Sequence, residues 1–198
     1  MRILLVGGTG TLGAALHKEL AGRGHEVLTV ARNGGDLRYD VTDPAQVGAM
    51  YAQAGRLGAV VSAAGHVPYK PVIEMTTQDY LDGFRGKALS QIELVRQGIP
   101  HVAERGSFTL ITGILAREPI VTGSAASMAN GAVEAFARAA AVEIAPQRVN
   151  VVSPAVFTES LTAYAPFFPG MEPVDLSRVA QAYVRSVEGA QTGQIYTL

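Results

Sequence analysis

The chain has 198 residues, 48% of them hydrophobic and 17% charged, with 22 glycines, no cysteine and a formal net charge of −1. That length suits one domain over 1–198 that buries about two thirds of its unfolded surface, and the apolar content excludes a disordered chain. The near-zero charge offers no broad basic field for nucleic acid or an anionic membrane, the missing cysteines exclude disulfides and thiolate chemistry, and no apolar run reaches membrane length, so a cytoplasmic, soluble protein is expected.

Apolar runs of strand length alternate with helical patterns. Ile3–Val6 reads as a short buried strand bounded by glycines. Leu12–Arg23 reads as a helix with Leu12, Leu16 and Leu20 on one face. Glu26–Val30 and Leu37–Tyr39 are the next strands. Pro44 opens a helix to about Ala54, with Asp43 as its N-cap. Ala59–Ser62 is a fourth strand, followed by one long helical stretch from about Thr77 to Arg96. Ser107–Thr112 is a fifth strand, and Ser124–Ile144 a long helix ended by Pro146. Val149–Val152, a helix over Asp175–Val187 and Gln194–Thr197 complete the series. This alternation predicts an α/β doubly wound Rossmann fold, a parallel sheet with helices on both faces. The proline-rich stretch Pro154–Val174 lies where a lid would lie, or is an ordinary stiffened surface connection.

The first turn, Gly7-Gly8-Thr9-Gly10-Thr11-Leu12-Gly13, joins the first strand to the first helix. Its glycines have the spacing of a pyrophosphate site. Gly7 makes the tight turn, Gly10 admits the phosphate to the backbone, and Gly13 lets helix and strand pack closely. Free N–H groups of Thr11 and Leu12 at the helix start then face the anion, and Thr9 and Thr11 add hydroxyls. No Gly-Lys-Ser/Thr follows, which excludes a P-loop. After the second strand stands Arg32-Asn33 rather than the acid that binds an NAD ribose. A guanidinium can pair with a 2′-phosphate, so NADP(H) is favoured over NAD(H). The histidines form no His-x-x-x-His pair, and no metal is expected.

These features resemble the short-chain dehydrogenase/reductase family, over nearly the whole chain. Asp40-Val41-Thr42-Asp43 matches the family's Asp-Val-x-Asp, where Asp40 and Val41 would meet adenine. Ala64-Gly65 keeps half of its Asn-Asn-Ala-Gly. Arg148 to Ala155 resembles Arg-Val-Asn-x-Val-x-Pro-Gly, and Pro154, Val156 and Thr158 would lie along the nicotinamide. The resemblance implies a sheet of about seven strands with cofactor across its carboxyl edge. The small-residue helix Ser124–Ile144 would pair subunits into a homodimer or homotetramer, or simply pack on its own sheet.

The family's proton-transfer pair, Tyr-x-x-x-Lys on the long helix, is absent. Its positions fall on Ala126 and Asn130, and the usual serine falls on Gly113. The lysines are Lys18, Lys70 and Lys87, none four residues after a tyrosine. Replacement candidates are Lys87, Thr112 and Ser124, with Ser127 and His66 behind them. Lys87 and Thr112 would also touch cofactor, whereas Tyr69 and Tyr164 would line substrate space. Three functions stay open: an NADP(H)-dependent oxidoreductase acting on a small carbonyl or alcohol with a non-standard proton donor; a catalytically silent NADP(H)-binding sensor or regulator; and an isomerase or epimerase on the same fold.

Overall fold

The computed structural model describes the chain apart from the side chain of residue 163. Seven strands form one parallel sheet in the order β3-β2-β1-β4-β5-β6-β7. They are β1 (Arg2–Val6), β2 (Glu26–Ala31), β3 (Leu37–Arg38), β4 (Leu57–Ser62), β5 (Val102–Ile111), β6 (Arg148–Ser153) and β7 (Ile195–Thr197). Strand order reverses between β1 and β4, which leaves a crevice at their carboxyl ends.

Alternation along each strand divides the core in two. Leu4, Val6, Val60, Phe108, Leu110, Val149 and Val151 face one side. They are covered by α2 (Pro44–Ala54), α4 (Ser90–Gly98) and α5 (Ser124–Glu143). Ile3, Leu5, Ala59, Val61, Ile111 and Val152 face the other, under α1 (Thr11–Gly22) and α7 (Leu176–Glu188). Both faces are covered, which is why the strands are mostly apolar, and the polar side chains Ser107, Thr109 and Asn150 of β5 and β6 are buried with them. Asp43 caps α2 as its position predicts, accepting from Ala45 N at 2.9 Å.

Three elements depart from the sequence reading. The helix expected over Thr77–Arg96 is broken: α3 (Thr77–Gly83) passes through a wide π turn, Phe84–Leu89, into α4. The cause lies at Gly86, whose carbonyl is drawn to His66 N–H at 3.2 Å. A Cβ on Gly86 would stand 2.6 Å from the carbonyl oxygen of His66, so only glycine lets the two backbones meet. β5 begins at Val102, earlier than expected, past an irregularity in its pairing with β4 between Leu57 and Ala59. The stretch Pro154–Val174 is folded, containing α6 (Leu161–Tyr164) between two single 3₁₀ turns. Its ends are tied by Thr158 N to Val174 O at 3.0 Å and Val174 N to Val156 O at 2.9 Å. Among the described residues, no helix is long and apolar enough to cross a membrane, and no group of three His, Asp or Glu could hold a metal ion.

Candidate functional site

The glycine turn closes the end of β1 onto its neighbours. Gly7 N–H donates to Val30 O at 2.8 Å, and Ala63 N–H donates to Val6 O at 2.8 Å. Gly7 has φ +84°, and a Cβ there would lie 2.8 Å from the Ala63 backbone. A Cβ on Gly13 would lie 2.1 Å from Gly7 O, so that glycine is required by packing alone. Gly10 is different. Its Cβ would meet only Gly7 O, at 3.5 Å, with the crevice beyond. The first helical bond of α1 is Ala14 N to Gly10 O at 2.8 Å, the N-cap has no side chain to accept, and the first turn holds no acid. The N–H groups of Thr11, Leu12 and Gly13 therefore have no acceptor within the helix, and the helix dipole is uncompensated there.

This helix start opens into a cavity of about 660 Å³ at the switch point. Gly10, Thr11 and Leu12 form one wall, and Ala63 to Val67 after β4 another. Thr112 and Ile111 close the floor at the end of β5. Ala155, Val156 and Phe157 lie opposite, and Tyr164, Phe167 and Phe168 from the folded stretch roof it. Tyr69 reaches the mouth, where burial and its neighbour Tyr164 push its phenol above the ordinary tyrosine range. The walls are mostly apolar with a few polar groups, the ordinary make-up of a small-molecule site.

Lys87 enters this cavity from the π turn. Its stem lies on the backbone of Gly65, where a Cβ would stand 3.1 Å from Lys87 Cγ and 3.5 Å from Nζ. Burial pushes the amine down to about 8. Gln91, one turn later, holds the lysine's backbone in place. Its Nε2 donates to Lys87 O at 3.0 Å and Ile111 O at 2.9 Å, while its Oε1 accepts from Ile111 N at 2.7 Å. The buried amide thus bolts the π turn to the end of β5, one residue from Thr112.

Behind Thr112 lies a buried carboxylate. Glu134 on α5 is 6% exposed, and its Oε1 accepts from Thr112 Oγ1, Ser153 Oγ and Arg117 Nη1, each at 3.0 Å. Arg117 also donates to Ser153 Oγ at 3.1 Å. The charge is paired with Arg117 and one of its oxygens takes three hydrogen bonds, which makes its burial tolerable. One consequence reaches the cavity: the hydroxyl hydrogen of Thr112 is committed to Glu134, so Thr112 presents lone pairs to a ligand.

The structure thus brings Gly10, Thr11, Leu12, Ala64, Gly65, Lys87, Thr112 and Val156 to one cavity, with His66, Tyr69 and Tyr164. Gly7 and Gly13 stand behind it as framework. Thr9 packs under Gly34 on the side of β2, where Arg32 and Asn33 are exposed past the strand end. Asp40 turns onto its own loop, accepting from Thr42 N at 2.9 Å and Oγ1 at 2.7 Å. These bonds, joined by the nearby Arg32, hold its carboxyl below the usual range. Val41 is half-buried against the core. Pro154 lies behind the wall, its carbonyl accepting from Ile114 N at 2.9 Å. Thr158 donates to Asp175 Oδ1 at 2.6 Å, away from the cavity wall. Ser124 is bonded to Tyr80 Oη at 3.1 Å, and Gly123 is the N-cap of α5. Ala126 and Asn130 are buried within α5, and Ser127 Oγ is buried without a hydrogen-bond partner among the described residues. Sequence reasoning missed Gln91, Arg117, Glu134 and Ser153. The one available signal was a carboxylate, Glu134, in the small-residue stripe of α5.

A family model described as enoyl-(acyl carrier protein) reductase matches residues 11–191. The chain belongs to the short-chain dehydrogenase/reductase family. Among curated proteins, this short-chain dehydrogenase/reductase is 27% identical to elsinochrome reductase 1 of Elsinoe fawcettii over 174 residues, 76% of this chain and 65% of that one. It is 24% identical to the hydroxynaphthalene reductase arp2 of Aspergillus fumigatus over 192 residues, 82% of this chain and 70% of that one. The chain therefore spans about two thirds of the length of these relatives. Among solved structures, the protein lin1944 from Listeria innocua superposes with a TM-score of 0.98 and 44% identity, covering 100% of this chain and 99% of that one. A small-chain dehydrogenase in complex with NADPH superposes with a TM-score of 0.89 at 23% identity, covering 100% and 96%, a likeness of fold.

Proposed function

We propose that this chain binds a nicotinamide dinucleotide, NADP(H) in preference to NAD(H), and serves as an oxidoreductase on a small carbonyl or alcohol. Gly10 carries the reading. It is an N-cap without a side chain, above three acceptor-free N–H groups, and a Cβ there would occupy only the mouth of an open crevice. That is the arrangement an anionic pyrophosphate needs. When bound, the nicotinamide supplies a hydride. The chain's residues do the rest: the start of α1 holds the phosphates, Ala64 and Gly65 let the dinucleotide lie flat, and Tyr164, Phe167 and Phe168 lay an apolar roof over the reacting end.

The preference for NADP(H) rests on Arg32. It is exposed at the end of β2 and makes no ion pair with another side chain among the described residues, and no acid stands where a ribose diol would be held. The names of its reductase relatives support the oxidoreductase reading, and a fold neighbour solved with NADPH supports a nicotinamide cofactor. Calorimetric titration with NADPH and NADH tests it. Wild-type protein is expected to bind NADPH more tightly. Arg32→Glu is expected to lose roughly tenfold or more of that preference, the worth of a charge-assisted hydrogen bond. Equal affinities end the preference, and no binding of either at millimolar concentration ends the nucleotide reading.

A silent sensor is the second reading, favoured by Gly113, Ala126 and Asn130 standing at the family's proton-transfer positions. NADPH oxidation with a panel of aldehydes, ketones and quinones separates the two.

A further inference from the structure

We propose that Lys87 is the proton donor of this site, delivering a proton to the substrate oxygen from the π turn rather than from α5. The proposal rests on the nucleotide reading above. Its first support is placement. The amine lies on Gly65 in the cavity wall, on a backbone that Gln91 fixes to the end of β5 beside Thr112. Its second support is the absence of a partner. Lys70 is paired with Asp79 at 2.7 Å, but Lys87 Nζ makes no hydrogen bond or ion pair among the described residues. A half-buried ammonium without an acceptor is costly, so a ligand oxygen in the cavity is its natural acceptor.

The other titratable groups leave this role open. His66 and Tyr69 come from the stretch after β4 and Tyr164 from α6, and both tyrosines sit half-exposed at the mouth. From the α5 side, Glu134 faces inward and is occupied by Arg117, Thr112 and Ser153. Thr112 can accept but not donate. Lys87 is therefore the group in the cavity that has protons to give from a backbone held in place by Gln91, with its stem packed on Gly65. Its amine, pushed down to about 8 by burial, is matched to proton transfer near neutral pH.

The chemistry balances without a further reactant. The carbonyl carbon gains a hydride from the reduced nicotinamide, which is thereby oxidised. The C–O π pair moves onto oxygen, and that oxygen forms an O–H bond as one N–H bond of Lys87 breaks. Solvent at the open mouth returns the proton to the amine.

Two measurements test the proposal. In the first, free chain is acetylated with acetic anhydride across pH and mapped by mass spectrometry, with Lys18 on the exposed face of α1 as reference. Lys87 is expected to react with a midpoint near 8, and a midpoint above about 10 overturns the proposal. In the second, reduction of 9,10-phenanthrenequinone by NADPH is followed against pH beside calorimetric NADPH binding. Wild-type turnover is expected to fall above about pH 8. Lys87→Met is expected to lose that limb and roughly 10²–10⁴ of kcat while still binding NADPH. Lys87→Arg keeps the charge but not a transferable proton, so its turnover stays low. Rescue by arginine, or unchanged kcat in the methionine variant, overturns the donor role. So does wild-type protein that binds NADPH yet reduces neither this quinone nor a panel of ketones and aldehydes. Absence of NADPH binding is separately visible and removes the nucleotide reading with it.

Discussion

Replacing Lys87 with methionine is expected to stabilise the folded chain at neutral pH, a gain that separates the cost of the cavity amine from its use. Burial lowers the proton affinity of Lys87 from 10.5 to about 8. At about 1.36 kcal/mol per pKa unit, holding the ammonium in the fold costs at most about 3 kcal/mol at pH 7. Solvent at the mouth screens part of that, so about 1–3 kcal/mol is expected. Methionine keeps the unbranched stem that packs on Gly65. The sign with pH follows from linkage: between about 8 and 10.5 the unfolded chain binds the proton that the folded chain has released, so wild-type stability rises with pH across that window. Above it both states hold a neutral amine and the cost is gone. Urea unfolding of both proteins at pH 7, 9 and 10.5 measures this, and their difference cancels the other groups that titrate there. Lys87→Met is expected to be the more stable at pH 7, with the gap closing towards pH 10.5. A destabilised variant, or a gap independent of pH, would refute the reasoning, because it would mean that the ammonium is already satisfied in the folded state.

Three further outcomes follow from the site. Gly10→Val is expected to abolish NADPH binding while changing unfolding free energy by less than about 1 kcal/mol, because its Cβ meets nothing closer than 3.5 Å. Gly13→Val, 2.1 Å from Gly7 O, is expected to cost about 4 kcal/mol or more; similar stabilities for the two would contradict the packing described. Glu134→Ala removes the shared acceptor of Thr112, Ser153 and Arg117 and is expected to cost about 3 kcal/mol in chemical denaturation. A loss below about 1 kcal/mol would show that the network is not held.

The strands and most helices were legible because each carries a local signal. Alternating burial divides the β1 side chains between two cores, Asp43-Pro44 announces α2, and the glycines of the first turn announce its geometry. The break at Phe84–Leu89 was not legible, since apolar spacing across one widened turn still looks helical, and its cause is a backbone contact with His66 from a distant loop. The extra length of β5 was hidden by Glu104-Arg105-Gly106, which reads as a turn until Leu57 and Ala59 are there to pair. Part of the crevice lining was readable from the family's motifs, since Gly10, Thr11, Leu12, Ala64, Gly65 and Val156 line it, whereas Asp40, Pro154 and Thr158 turn away from it. The polar network was not: Gln91, Arg117, Glu134 and Ser153 lie on four separate pieces of chain, and only the fold brings them within 3.1 Å of their partners.

The widened turn at Phe84–Leu89 also determines which way Lys87 points. Each residue of an α-helix advances the azimuth by about 100°, and a π turn carries one residue more than its neighbours for the same closure. Removing one residue there would rewind the segment to ordinary pitch and swing everything on one side of it through roughly that angle. The amine would then leave the crevice with its chemistry untouched. In this chain the aim of a reactive group is encoded in the winding of the backbone, so a deletion of Gly86 would act as severely on the site as a substitution of the lysine itself.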